Sequence, residues 1–461
     1  MQKLERRAAD RKVAPLFSGL WTAAAVLPPF RVMSAKRELR SCTPKLETRI
    51  VLVLASLVAC VAAQTMVLIP MDLTQTDHLK AYGIVYRLLQ RGQKVEWLLN
   101  FRGGSFLFPP EPQAVRDCQL NGVAYQSVGP ADVVQIRSTI EKSNMESVML
   151  ERATKLAVYA PPTADPWDDA VRLALDYAGI KYDVVWDKEA VAGKLAQYDW
   201  LHLHHEDFTG QYGKFYSSYA HEEWYQRDVA TNIKAAAELG FKKVSKMDLA
   251  IVELIRKYVA DGGMLFAMCS ATDTPDIAWA ARNTDICAAV FDGDGIDPAY
   301  ASKLDFTGCF AFENFNLITD PMVYEHSDID TYLEATARGQ DVYFSLFDFS
   351  AKYDPVPCML VQDHVALVKE FLGQNCGFRR TTVRKDVLVL GEVANTEELK
   401  YIHGNFGKGT FTFLGGHDPE DYAHRIHDPA TDLSLHKNSP GYRLILNNVL
   451  FPAAEKKPLK T

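Results

Sequence analysis

Apolar positions along the chain follow two periods. Short continuous apolar runs alternate with stretches that repeat every three to four residues, the mark of buried strands between amphipathic helices. Residues 66–70 read as a first strand, 76–92 as an amphipathic helix closed by Gly92, and 94–100 as a second strand. The order returns with a strand at 155–159, a helix entered through Asp165 with Pro166 in its first turn and closed by Gly179, and a strand at 182–186. The two passages read as diverged copies of one strand–helix–strand unit, which predicts a doubly wound parallel sheet in a three-layer α/β fold. The weakly patterned residues 143–154 mark the boundary between an N-terminal α/β unit (64–150) and a main domain (151–461). Further on, 198–204 reads as a strand, 205–225 as a polar and aromatic loop, and 228–239 and 247–260 as helices. Residues 291–359 are irregular and β-rich, with apolar runs at 310–315 and 342–347. They read as an insertion or lid, bounded at about 291–384. A strand at 385–391, a hairpin at 401–414 with a Gly-rich turn and a helix at 442–450 complete the chain.

The N-terminus changes what the charge means. Residues 50–63 form an apolar run too short to span a bilayer but suited to the core of a signal peptide, with Val61-Ala62-Ala63 before Gln64 as a cleavage site. The preceding arm is long, and Met33 is an alternative start; Leu57-Val58-Ala59-Cys60 also fits a lipoprotein box, with lipidation at Cys60 as the alternative to free export. Residues 1–63 carry 11 Lys/Arg against 4 Asp/Glu, so their removal takes the formal net charge from −8 to −15. An acidic surface argues against nucleic acid and against anionic membranes, and leaves a small molecule as the expected partner. The six cysteines beyond residue 63 are widely spaced with no CxxC, which is not a disulfide scaffold, although one or two bridges that leave Cys269 out are allowed.

The stretch 261–275, Asp-Gly-Gly-Met-Leu-Phe-Ala-Met-Cys-Ser-Ala-Thr-Asp-Thr-Pro, carries the first candidate chemistry. It reads as a turn, a strand buried on both faces (264–268) and a sharp bend into a helix over 276–281, capped by Ser270, Thr272 or Asp273. Cys269 then stands at the carboxyl end of a central strand, where open α/β sheets place their sites, near helix-start N–H groups that favour a thiolate. Cys269 is a nucleophile in that reading and a buried structural cysteine in the other. His417 follows a second strand after Gly415-Gly416, with Asp418, Glu420 and Asp421 beside it. It is the candidate base, and Asp418 or Glu420 the candidate orienter. The Ser270 N–H would serve an oxyanion, and Asp273 would meet substrate. The same acids also suit a plain helix-start turn.

A second cluster is His202-Leu203-His204-His205-Glu206-Asp207. His202 and His204 share one strand face and His205 and Asp207 the other. His204, His205 and Glu206 are candidate substrate contacts. His202, His204 and Asp207 are a candidate zinc set, although no second metal motif completes it. No cofactor is otherwise expected. The aromatic and donor-rich residues 208–216 suit sugar or peptide stacking, or a packed loop. Asp292-Gly-Asp-Gly-Ile-Asp297 departs from the EF-hand order at Ile296 and reads as a turn. Gly103-Gly104 could cradle an anion, but no GxGxxG pattern supports a nucleotide.

The elbow at 261–275 together with Gly407-Lys408-Gly409 and Gly415-Gly416-His417-Asp418-Pro419-Glu420 resembles the class I glutamine amidotransferase-like superfamily, and most of all its trehalose-utilisation (ThuA-like) branch. The resemblance spans residues 155–290 and 385–451. It implies a flavodoxin-like sheet, a Cys269–His417 pair, and hydrolysis of an amide, ester or sugar-derived substrate by an exported thiol enzyme. A carbohydrate-binding protein without catalysis on the same fold is the alternative. Cys269 stands where true amidotransferases have their nucleophile, whereas the ThuA-like branch often has His. The superfamily's His-x-Glu is replaced by His417-Asp418-Pro419-Glu420, which departs from glutaminase chemistry. The whole chain after residue 63 also resembles a secreted bacterial family sometimes labelled asparagine synthetase B. The residues contradict that chemistry, because Gln64 stands where an N-terminal cysteine is needed and the pyrophosphatase Ser-Gly-Gly-x-Asp-Ser loop is absent.

Overall fold

The computed structural model describes residues 65–426 and 428–456; the expected signal peptide, its expected cleavage site and Cys60 lie outside the described residues. Two sheets share one core. The larger contains β6 (Leu156–Tyr159), β7 (Asp183–Val185), β8 (Trp200–Leu203), β9 (Met264–Met268) and β15 (Gly409–Leu414), all parallel, in the spatial order β7-β6-β8-β9-β15. Taken in chain order these are strands 2-1-3-4-5, the flavodoxin-like arrangement. Beyond β15 the sheet continues antiparallel through β14 (Glu398–Phe406), β13 (Leu388–Val393), β10 (Tyr343–Leu346) and β11 (Leu367–Lys369), with β12 (Phe378–Arg379) pairing β14. The 401–414 hairpin forms as expected. The 291–384 segment is mostly irregular, yet its short strands β10 and β11 form this edge of the sheet and β12 pairs β14.

Strand β9 shows why its apolar run is unbroken. Met264, Phe266 and Met268 face one core, while Leu265 and Ala267 face the other. On the first side lie α1 (His78–Gln90), α4 (Ala170–Ala178) and α8 (Pro440–Leu450); on the second lies α6 (Val244–Asp261). Helices α1 and α4 approach so closely that a Cβ on Gly83 would sit 1.8 Å from the Ala178 carbonyl oxygen.

The N-terminal unit departs from the repeat expected of it. Its sheet, in the order β4 (Gln126–Val128), β1 (Met66–Ile69), β3 (Ser105–Phe108), β2 (Val95–Leu99), β5 (Glu146–Leu150), is antiparallel at every pairing. The cause is the turn at 100–104, where Asn100, Arg102, Gly103 and Gly104 all take positive φ. A link that short can only return the chain antiparallel, since a parallel crossover needs a dozen residues or more. The Gly103 carbonyl accepts from Arg443, so this turn is filled by protein. Helices α2 (Pro112–Asn121) and α3 (Pro130–Lys142) complete the unit, with Ile136 and Ile140 of α3 covering Leu68, Leu98 and Leu107 on the outer face. The inner face, with Trp97, Phe106 and Phe108, lies on α1 and α8 and shares the core of the large sheet. The 143–154 segment is therefore mainly an edge strand. After it, the Glu151 N–H donates to the Ala453 carbonyl.

Smaller expectations meet mixed outcomes. The helix expected from Asp165 begins at Ala170; residues Pro166–Asp168 form a single 3-10 turn and Asp169 is the cap, accepting from the N–H groups of Val171 (2.8 Å) and Arg172 (3.1 Å). Asp273 precedes α7 (Thr274–Ala280) without a side-chain capping bond. All six described cysteines are free and buried. The 292–297 acids are a turn, with Asp292 and Asp294 on Lys243 and Asp297 on Lys303. Helix α5 (Glu223–Glu238) and α6 run longer than expected by a few residues. Among the described residues no helix is long and apolar enough to cross a membrane.

Candidate functional site

The carboxyl ends of β6, β8, β9 and β15 converge on one cleft. Strand β8 lies beside β9, and β9 beside β15, so the loops bearing His204, Cys269 and His417 are neighbours. Backbone bonds tie them together: the Cys269 N–H donates to the Gly416 carbonyl (3.1 Å) and the Ala271 N–H to the His204 carbonyl (3.3 Å). Cys269 has φ +51°, the strained left-handed backbone of a nucleophile elbow.

Four imidazoles meet there. The rings of His204 and His417 are perpendicular with centroids 4.8 Å apart, His205 lies 4.3 Å from His204 and 4.9 Å from His417, and His424 stacks flat on His417 at 4.1 Å. One nitrogen from each of His204, His205 and His417 lies within 4.8 Å of the others. Each of the three rings also has a nitrogen near an oxygen. His204 Nδ1 is 3.7 Å from an Asp169 carboxylate oxygen, His205 Nε2–H donates to the Asp168 carbonyl (2.6 Å), and His417 Nε2 is 3.8 Å from the Asp168 carboxylate. His204 is 1 % exposed with no hydrogen-bond partner on either ring nitrogen, and His417 Nδ1 is likewise buried and unpartnered. Burial, reinforced by the neighbouring imidazoles, holds both rings well below the usual histidine range, so both are neutral at pH 7.

His424 is different. Burial opposes its charge, but the carboxylates of Asp168 (2.8 Å) and Asp421 (2.9 Å) on its two nitrogens win and raise it to about 9. Both its nitrogens are thus spent. His202, deeper in the sheet, donates from Nδ1 to the Phe266 carbonyl (3.1 Å) and turns Nε2 toward Asp169 at 3.4 Å.

The expected thiol partners have their own surroundings. Burial pushes the Cys269 thiol up to about 12, against the opposing N–H groups of Ser270 and Gln374. Asp418 accepts from the Glu420 N–H (2.9 Å) and the Thr431 hydroxyl (2.7 Å), and Glu420 meets His436 at 2.8 Å, so neither carboxylate is spent on His417. The carboxylate beside His417 is Asp168. Ser270 is buried at the elbow, its carbonyl accepting from Thr274 Oγ1 (2.9 Å). Asp273 is also buried there, raised by burial to about 6 and hydrogen-bonded to Asn375. Asp207 is not in the histidine set: its oxygens accept from Thr209 and Gly213 N–H groups at 2.8 Å and face His326, which fixes the loop after β8. Asp169 stands where Asp207 was expected, with His202 and His204.

Beside the histidines is a cavity of about 290 Å³, lined by Asp168, Asp169, His204, His205 and Glu206, by the aromatic residues Trp186, Phe208, Tyr212, Phe215 and Trp224, and by Asp187 and Asp248. Glu206 accepts from the His204 N–H (2.7 Å), and burial raises it to about 8. Sequence reasoning missed Asp168, Asp169 and His424. The first two were taken up as acids at a helix start, and nothing in the sequence ties His424 to Asp168, 256 residues away.

No family model matches the chain, and no curated protein does. Among solved structures it is similar to two cytoplasmic proteins of Salmonella typhimurium. One has 12 % identity and a TM-score of 0.31, covering 66 % of this chain and 100 % of that one. The other has 12 % identity and a TM-score of 0.33, covering 65 % and 100 %. A putative ThuA-like protein from Bacteroides uniformis ATCC 8492 has 13 % identity and a TM-score of 0.27, covering 62 % and 89 %. These likenesses are distant, and the α/β assignment rests on the strand order itself.

Proposed function

We propose that this chain is a zinc-dependent hydrolase of a small amide, ester or sugar-derived substrate, with the metal held by His204, His205 and His417. The observation that carries the reading is three ring nitrogens within 4.8 Å, two of the rings buried with unpartnered nitrogens. A buried polar atom without a partner costs about 1–3 kcal/mol, and a bound cation removes that cost. Histidines that ligate metal ordinarily give their other nitrogen to a carboxylate or carbonyl oxygen. The Asp168 carbonyl accepts from His205 in this way, and the Asp169 and Asp168 carboxylates lie 3.7 Å from His204 and 3.8 Å from His417. Zinc with three imidazole ligands and an open position supplies an activated water and polarises a carbonyl. Within this reading Asp168 orients two rings, the loop held by Asp207 shapes the cavity wall, and the aromatic residues keep water from the bound substrate.

A thiol mechanism through Cys269 is the second reading, favoured by the left-handed backbone at that residue. Its buried thiol, pushed up to about 12 and absent from the cavity lining, counts against it. A non-catalytic carbohydrate-binding protein is the remaining alternative. Elemental analysis of protein purified without a polyhistidine tag decides among them. About one equivalent of zinc, lost in His204→Ala, is expected. Metal-free protein whose activity disappears in Cys269→Ser would instead establish the thiol route.

A further inference from the structure

The cavity beside the histidines contains two carboxyl groups that the chain itself leaves unanswered. Asp187 is 3 % exposed and Asp248 7 % exposed, and each has one carboxylate oxygen with no hydrogen-bond partner. Asp187 uses its other oxygen to accept from the Tyr159 hydroxyl. The charged groups acting on the pair are other acids: Glu189 on Asp187, and Asp187 and Asp207 on Asp248. Of the two arginines in the cavity wall, Arg172 meets the Tyr182 hydroxyl and acts on Asp176, and Arg227 acts on Asp228.

Buried acids without a counter-charge are costly, and a fold that keeps two of them in the lining of one cavity leaves room for a positive partner from outside. A bare metal ion does not fit this end. Among the described residues, neither acid belongs to a group of three ligating side chains close enough to share one ion. The walls supply the rest of the recognition. Trp186, Phe208 and Trp224 line it, aromatic rings attract an organic cation, and Trp224 Nε1–H is buried without an acceptor. A cavity of about 290 Å³ is at the small end for ligand pockets and holds roughly a monosaccharide-sized molecule.

We propose that this cavity takes a small organic cation, a primary amine that also carries a hydroxyl, with Asp187 and Asp248 as counter-charges to its ammonium and the Trp224 indole N–H donating to its oxygen. The proposal rests on the reading of this cleft as the substrate site and names the substrate's class. The amine end lies against the acids, and the rest of the molecule extends toward His204 and His205 at the other side of the same cavity.

Tryptophan fluorescence titrations at pH 7 with matched pairs test it: D-glucosamine against D-glucose, ethanolamine against ethylene glycol, and benzylamine against benzyl alcohol. At least one amine should bind ten times more tightly than its hydroxyl partner, and Asp187→Asn with Asp248→Asn should bring the two to parity. If no amine exceeds its partner, or if the preference survives both substitutions, the proposal is overturned. Repeating the titration after chelation separates this result from the metal reading. An amine preference in protein that holds no metal supports the cavity assignment while the hydrolase assignment fails, and zinc without an amine preference does the reverse.

Discussion

Replacing Asp187 by Asn should make the protein more stable at neutral pH. Burial raises the Asp187 carboxyl from 3.8 to about 6, with the Glu189 charge adding and the Tyr159 hydrogen bond opposing. A carboxyl raised on folding binds its proton more tightly in the folded chain than in the unfolded one. Its contribution to stability is therefore fully present below pH 3.8 and is lost as the pH rises through about 6. The gap between 3.8 and about 6, at 1.36 kcal/mol per tenfold, is worth about 3 kcal/mol by pH 8. Asn is neutral at every pH and its Oδ1 still accepts from Tyr159, so the variant escapes that loss. With an unfolding entropy of about 2.1 cal/mol/K per residue, a chain of this size should gain about 4 °C in Tm. The assay is thermal unfolding of wild type and Asp187→Asn at pH 4 and pH 8. The difference should be near zero at pH 4 and about +4 °C at pH 8. An Asn variant equal to or below wild type at pH 8 would refute the reasoning, because it would mean that the chain already compensates this carboxylate. Keeping a destabilising acid makes physical sense where a ligand supplies the missing charge.

Iodoacetamide should label Cys269 in the folded protein roughly three orders of magnitude more slowly than an ordinary thiol, because a thiol pushed up to about 12 holds almost no thiolate at pH 7.5; labelling at the rate of a free cysteine would revive the nucleophile. Gly83→Ala should destabilise by about 1–3 kcal/mol through the forced separation of α1 and α4, read as a lower urea midpoint, and an unchanged midpoint would show that the helices can part freely. We also propose that the native protein is exported and begins at Gln64 without lipid; intact-mass measurement of a diacylated Cys60 would make it membrane-anchored instead.

Much of the large sheet was legible because its strands are buried on both faces. The unbroken run Met264–Met268 and the hairpin 401–414 follow directly from that burial. The N-terminal sheet was not, because strand–helix–strand order reads the same whether the next strand returns parallel or antiparallel. The only local signal was turn chemistry at Asn100 to Gly104, where positive φ forces the return. The site was legible in part. Histidines at strand ends in one crevice follow from topology, and His204 and His417 do meet. Their partners could not be read, because Asp168 and Asp169 resemble any acids at a helix start. With the helix starting at Ala170, Asp169 both caps it and faces His202 and His204, while Asp168 faces His417 and His424. Asp418 and Glu420, adjacent in sequence to His417, turn to Thr431 and His436 instead.

X-ray absorption at the zinc K edge of the native protein tests the central claim most directly. The account predicts one zinc with three imidazole nitrogens at about 2.0–2.1 Å and one oxygen neighbour, with the imidazole signal lost in His204→Ala. A sulfur neighbour at about 2.3 Å, or native protein with no zinc edge at all, would contradict it.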